Sequence, residues 1–233
     1  TLGCHTRMEA YPDSFMPYVA QIRFVDICHY MTVPDEAFRD VYSSDFVTYC
    51  EQIAREKVEP RVNDPYVLGY SMTDCPVLTD LEALPRNSNV YGSERIELST
   101  WPCVLRNHGN ESPGKHAYVN KMREIYDGNV QTFNRTYNTD FESFEDVIRA
   151  RDWRPRAEYS NSREARDNRN FLIDVVDKCY EIEVAAIRKY DTNHLVLGDK
   201  FNGNMDVPDE IIELHGKHFD LVFFQFYSNW YDL

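Results

Sequence analysis

Short apolar runs alternate along this chain with segments whose apolar residues recur at helical spacing. The run Gln21-Ile22-Arg23-Phe24-Val25-Asp26-Ile27-Cys28 mixes β-branched and aromatic residues with polar ones in short alternation, which predicts a strand. Ser44 to Glu59 predicts a helix, opened by Ser44 or Asp45 as cap and closed before Pro60. After Asp64-Pro65 a second strand is predicted over Tyr66-Val67-Leu68-Gly69-Tyr70-Ser71-Met72. Its nearly continuous apolar character is that of a strand covered on both faces, as in parallel sheets.

The stretch from Pro76 to Arg163 holds five of the eleven prolines and several short helical patterns, and it reads as a helical insertion after the second strand. Pro113-Gly114 leads into a predicted helix that ends near Tyr126-Asp127-Gly128. Asn129 to Tyr137 predicts another, and Ser143-Phe144-Glu145-Asp146 is a capping-type start for a third. The longest helix is predicted from Ser162 or Asn168 to Tyr190, with Phe171, Leu172, Val175, Val176, Cys179, Ile182, Ala186 and Ile187 on one stripe. A strand at His194-Leu195-Val196-Leu197-Gly198, a helix from Pro208 to His215 and an apolar strand from Phe219 to Phe226 complete the pattern. Helices alternating with buried strands predict an α/β fold with a parallel sheet.

Composition narrows the function classes. Over 233 residues there are 39 acidic and 25 basic side chains, giving a net charge of -14, while 42% of residues are hydrophobic. That apolar content can bury a core, which excludes disorder. The acidic balance argues against a nucleic-acid partner, because phosphate binding draws on clustered Lys and Arg. No apolar run approaches the roughly 18 residues of a membrane helix, so no membrane association is expected. The six cysteines include no CxxC pair, so they are expected to be mostly reduced, structural thiols. P-loop, GxGxxG and GxSxG motifs do not occur, and no cofactor is expected. His215-Gly216-Lys217-His218 has HxxH spacing but lies at a helix end, and Cys4-His5 is an equally weak pair, so no metal site is expected. The apolar run close to Leu233 and the start at Thr1 read as those of a piece of a longer chain.

Chemistry gathers at the C-terminal ends of the predicted strands. The first finishes at Cys28-His29-Tyr30, the second at Thr73-Asp74-Cys75, the third at Asp199-Lys200-Phe201-Asn202, and the fourth at Gln225 with Tyr227 and Asn229. In (β/α) barrels and open parallel sheets that edge is where ligands bind. Amides and carboxylates there hydrogen-bond hydroxyls, and aromatic faces stack on sugar rings, so the four ends together point to a polyol site. Trp101, inside the insertion, is either a stacking platform or a packing residue.

Several of these segments resemble, in order, clan A glycoside hydrolases of the β-galactosidase and agarase-like kind. Asp64-Pro65-Tyr66-Val67-Leu68-Gly69-Tyr70 is similar to the segment that forms their fourth barrel strand. Pro113-Gly114-Lys115-His116-Ala117-Tyr118-Val119, Phe133-Asn134-Arg135-Thr136-Tyr137-Asn138-Thr139 and Ser143-Phe144 resemble their helical insertion. Arg188-Lys189-Tyr190-Asp191-Thr192-Asn193-His194-Leu195-Val196-Leu197-Gly198-Asp199 is similar to their approach to strand five, and Phe219 to Tyr227 to strand six. The resemblance implies a partial (β/α)8 TIM barrel over residues 1–233, with 76–163 as a helical insertion after the strand ending near Met72, and a carbohydrate as partner.

Two departures bear on activity. Asp74 stands where the family has Asn, and Cys75 where it has the acid/base Glu. A thiol does not protonate a glycosidic oxygen as a carboxylic acid does, and glycosidases use a carboxyl pair about 5–5.5 Å apart when retaining or about 6.5–9.5 Å when inverting. Asp74 is therefore either a displaced acid, its pKa raised by burial, or a group that only binds a sugar hydroxyl. The family's nucleophile comes from strand seven, beyond the segments matched here. The main expectation is a glycoside hydrolase barrel, with Asp74 as the candidate acid and His29, Asp199, Asn202, Gln225, Tyr227 and Trp101 as candidate substrate contacts. The alternative is a catalytically silent barrel that binds glycans or serves as a structural module.

Overall fold

The computed structural model describes residues 16–28, 33–84, 96–97, 99–151, 153, 162–202 and 207–225. Its chain divides into two compact units. Among the described residues, the first comprises those within 1–32, 44–77 and 179–233, and the second those within 33–43 and 78–178.

The first unit is built on four parallel strands: β1 (Tyr18–Gln21), β2 (Val67–Asp74), β5 (Leu195–Asn202) and β6 (Phe223–Gln225). Their spatial order is β1-β2-β5-β6, the same as their order in the chain. A doubly wound sheet reverses its strand order at a switch point, whereas the arc of a (β/α) barrel does not. Helix α1 (Ser44–Lys57) connects β1 to β2, α6 (Arg163–Arg188) leads into β5, and α7 (Asp209–His218) connects β5 to β6. The apolar stripe of α1 places Phe46, Cys50 and Ala54 in the interior, four residues apart, and α7 buries Ile211 and His215.

The β2–β5 ladder contains two irregularities. Tyr70 pairs with Val196 but Ser71 pairs with Gly198, so β5 carries one extra residue; Asp74 then pairs with Lys200, so β2 carries the compensating one. Gly198 adopts φ +70, and a Cβ there would lie 2.4 Å from His215 Nε2 and 2.6 Å from Phe219. Both the left-handed backbone and the close ring approach require glycine.

The strands depart from their predicted limits in instructive ways. The first strand was expected over 21–28, but its ladder is Tyr18–Gln21, and Ile22 N–H to Ser71 is its last ladder bond. The apolar residues that follow are buried as expected, but consecutive Phe24 and Val25 are both inside, so the segment does not alternate. It is tied back to the sheet region by the Thr73 hydroxyl donating to the Val25 carbonyl, by the Val77 N–H donating to the Ile27 carbonyl and by the bridge of Cys28 to Pro76. β2 runs on to Asp74 rather than Met72, and β5 to Asn202 rather than Gly198. Polar residues that seemed to end these strands lie inside them, because their side chains are satisfied across the sheet.

In the second unit, β3 (Ala83–Leu84) and β4 (Ile96–Glu97) pair antiparallel, and helices α2 (Trp101–Asn107), α3 (Pro113–Ile125), α4 (Val130–Tyr137) and α5 (Phe144–Arg149) carry the core. Local sequence sets each start: Thr100, Ser112 and Asn129 accept hydrogen bonds from the first turns of α2, α3 and α4, and Ser143 and Asp146 form a capping box on α5. Phe133 lies at the centre of an aromatic cluster with Tyr126, Tyr137, Phe144 and Trp153. Arg106 is fully buried and donates to both oxygens of Glu82, at 2.5 and 2.8 Å.

Candidate functional site

Side chains of paired residues in a ladder share a face, and successive residues alternate. Asp74 is in register with Lys200, and Asn202 with Gln225, so these four groups from β2, β5 and β6 occupy one face at the C-terminal ends of the strands. Asp199 and Phe201 occupy the other, where Phe201 packs on His215 of α7.

Asp74 is 3% exposed and is the hub of the first face. Its Oδ1 accepts from Lys200 Nζ at 2.8 Å, from Gln225 Nε2, and from the Cys75 thiol at 3.3 Å. Gln225 Nε2 also lies 3.6 Å from the Cys75 sulfur. Cys75 is fully buried at φ 52, a left-handed turn that ends the strand, while its N–H still donates to the Lys200 carbonyl at 2.8 Å. Burial pushes the Asp74 carboxyl up. The hydrogen bonds from Lys200 and Gln225, the Lys200 charge and the Cys75 thiol push it down further, so the group ends below its ordinary value. The rise that burial alone predicts does not occur: at neutral pH Asp74 is a carboxylate that accepts hydrogen bonds.

Asp199 faces the helix layer. Its carboxylate accepts from the Thr73 N–H and from the Tyr180 hydroxyl, each at 2.9 Å. Glu183, three residues beyond Tyr180 on α6, is also buried. Burial raises the Asp199 carboxyl to about 7, with Tyr180 and Thr73 opposing; burial and then the Asp199 charge hold Glu183 well above the carboxylate range. The two carboxyls titrate as a pair.

Of the residues singled out from sequence, Asp74 and Gln225 meet directly, and Asn202 shares their face. Asp199 lies on the opposite face and is occupied by structural partners, contrary to its expected place beside the others. Trp101 is 2% exposed, edge-on to Phe38, and donates its indole N–H to the Arg39 carbonyl, which is the packing role. His29 and Tyr227 lie outside the described residues, as does Cys4-His5. The HxxH pair does not converge on a site, because His215 is enclosed by Tyr180, Phe201 and Phe219. Among the described residues, no group of three or more His, Cys, Asp or Glu is placed to hold a metal ion, and no helix is long and apolar enough to cross a membrane. The cysteines at 28, 50, 75, 103 and 179 are buried.

Sequence reasoning did not select Lys200 or Glu183. Each carried a signal: a lysine inside a strand buried on both faces needs an anion beside it, and Glu183 interrupts the apolar stripe between Cys179 and Ala186.

Four parallel strands in chain order, interleaved with helices and carrying polar groups at their C-terminal ends, define a partial (β/α)8 barrel of the type found in clan A glycoside hydrolases. The solved structures that share it include an exo-β-agarase (20% identity, TM-score 0.70, covering 97% of this chain and 30% of that one) and a second agarase (17%, 0.68, 97% and 30%). A β-galactosidase from the Antarctic haloarchaeon Halorubrum lacusprofundi is similar at 13% identity and TM-score 0.55, covering 97% of this chain and 33% of that one. The chain thus spans about a third of the length of these structures. No family model and no curated protein matches it.

Proposed function

We propose that this chain belongs to a carbohydrate-binding barrel in which the strand-end cluster receives a neutral sugar, with Asp74 accepting hydrogen bonds from hydroxyls and Asn202 and Gln225 as flanking contacts. The observation that carries the reading is the Asp74–Lys200–Gln225 convergence at the C-terminal ends of three adjacent parallel strands. A carboxylate offers about four acceptor positions and no proton, which suits polyol recognition better than protonation of a leaving group. The fold it shares with agarases and a β-galactosidase supports the ligand class.

Hydrolysis of O-glycosidic bonds is the second reading, favoured by the overlap with the exo-β-agarase along 97% of this chain. It requires a carboxylic acid, and Asp74 would have to become one.

One experiment separates the two. The full-length protein carrying this chain is titrated calorimetrically with agaro-oligosaccharides and β-galactosides, and products are followed by chromatography. The binding reading expects affinity that falls about tenfold or more in Asp74→Asn, the loss typical of a hydrogen bond to a charged group, with no products. Absence of binding by every oligosaccharide overturns it. Products whose formation collapses in Asp74→Asn would establish Asp74 as the acid, and turnover untouched by that change would remove it from that role.

A further inference from the structure

We propose that Lys200 is a positioning residue that fixes the charge and the orientation of Asp74, so that the cluster meets its ligand as a preset hydrogen-bond acceptor. The inference rests on the carbohydrate reading only for the identity of the ligand.

Among the described residues, Lys200, Gln225 and Cys75 donate to the same oxygen of Asp74, and they differ in what they supply. Gln225 is a neutral amide and Cys75 a weak thiol donor, whereas Lys200 brings a full positive charge at 2.8 Å. For a carboxylate 3% exposed, a cation that both donates a hydrogen bond and adds its charge opposes the burial penalty more strongly than either neutral donor does. The Lys200 side chain is itself only 10% exposed, so water screens the pair weakly. Register does the aiming: Asp74 and Lys200 are ladder partners, and the lysine reaches the carboxylate from the neighbouring strand with the Cys75 N–H clasping the Lys200 carbonyl beneath it. Gln225 from β6 completes a grip from two sides, which leaves the carboxylate one orientation. The carboxylate of β5, Asp199, faces away from it, toward Tyr180. With its charge already matched by Asp74, Lys200 does not act as an anion receptor, and the cluster suits neutral polyhydroxylated ligands over sulfated or uronate ones.

The test follows the Asp74 carboxyl carbon by NMR through a pH titration of the ligand-free full-length protein. In Lys200→Met the midpoint is expected to rise by about 2 pH units or more over wild type, and in Lys200→Arg to stay within about half a unit of it. Lys200→Gln, which keeps a donor but no charge, is expected to behave like Lys200→Met and serves in its place if that variant does not fold. A midpoint that moves by less than about half a unit in the uncharged variants overturns the proposal. A second arm compares neutral and sulfated agaro-oligosaccharides between pH 5 and 8. Wild-type binding is expected to prefer the neutral sugar and to be flat with pH, while the uncharged variants lose affinity toward pH 5 as Asp74 protonates. Stronger binding of the sulfated sugar by wild type overturns the specificity. If no sugar binds, the carbohydrate reading fails, and the ligand-free titration still decides what Lys200 does.

Discussion

Asp199 and Lys200 are consecutive residues of one strand and belong to two separate electrostatic systems. The lysine points to the face it shares with Asp74 and Asn202 and neutralises Asp74, and the aspartate points to the helix layer, where its charge raises the Glu183 carboxyl. One residue of strand thus divides a charge-paired cluster from a buried acid pair that has no such partner among its named neighbours Thr73, Tyr180 and Cys179. The two systems respond to pH in different ways.

The acid pair should make the protein lose stability as pH rises. The Asp199 carboxyl stands at about 7 in the fold against 3.8 for its ordinary value, so the folded state holds more protons than the unfolded one across that interval. Stability from this pair is complete below the ordinary value and is lost as pH climbs through the folded one, with Glu183 extending the loss upward. Denaturant unfolding between pH 6.5 and 8.5 is expected to show a falling midpoint in wild type and a flatter one in Glu183→Gln. Equal slopes in the two proteins would refute the assignment.

His215 acts in the opposite sense at lower pH. Burial lowers its ring to about 4 from 6.5, the Asp199 backbone opposing and the His218 charge assisting, and neither ring nitrogen makes a well-formed hydrogen bond. The unfolded state binds the extra proton between those values, so stability drops as pH falls from 6.5 toward 4, by about 3 kcal/mol over the whole interval. His215→Phe keeps the aromatic contacts to Tyr180 and Phe219 and is expected to abolish this acid limb. Thermal melts at pH 4.5 and 7 on both proteins measure it.

Arg106→Met should be among the most damaging changes in the second unit. It removes the guanidinium that holds both oxygens of the buried Glu82 carboxyl and leaves that group with Asn168, which donates to it at 2.9 Å. Breaking a buried pair from one side costs about 3–5 kcal/mol, whereas removing both charges costs far less. The double variant Glu82→Gln/Arg106→Met is therefore expected to recover a large part of the loss in chemical denaturation, and equal instability of single and double variants would argue against a charge effect.

Gly198→Ala tests the β5 irregularity. The substitution combines a left-handed backbone with a Cβ driven into the His215 and Phe219 rings, and should cost about 3 kcal/mol. Because Lys200 lies two residues on, the same variant should also raise the Asp74 midpoint in the NMR titration. A variant as stable as wild type would mean that the turn and the rings relax together.

Local chemistry made part of this structure readable in advance. The unbroken apolar run of β2 announced a strand covered on both sides, the stripe from Phe171 to Ile187 announced α6, Pro113-Gly114 marked the start of α3, and Asn129 and Ser143 marked helix starts at the positions they cap. What escaped depends on pairing between distant residues. β5 looked finished at Gly198 because Asp199, Lys200 and Asn202 are polar; they stay in the strand since Asp199 meets Thr73 and Tyr180, and Lys200 meets Asp74. The contact of Gln225 with Asp74 joins residues 151 apart in the chain, and nothing local to either encodes it. For Asp74 the position was legible and the ionisation was not, because burial and a cation push a carboxyl in opposite directions and only the geometry says which prevails.

The paired irregularities of β2 and β5 give this arrangement a phase. Between Tyr70 and Asp74, and between Val196 and Lys200, the two strands advance by the same number of residues, although each slips once on the way. One residue more in β5 ahead of Asp199 would set that aspartate opposite Asp74, and two carboxylates would confront each other. One residue fewer would set Phe201 there, and the carboxylate would lose its counterion. A single-residue insertion or deletion in either strand therefore reverses or erases the charge at the strand ends without altering any side chain of the cluster, and only a matching change in the neighbouring strand restores it.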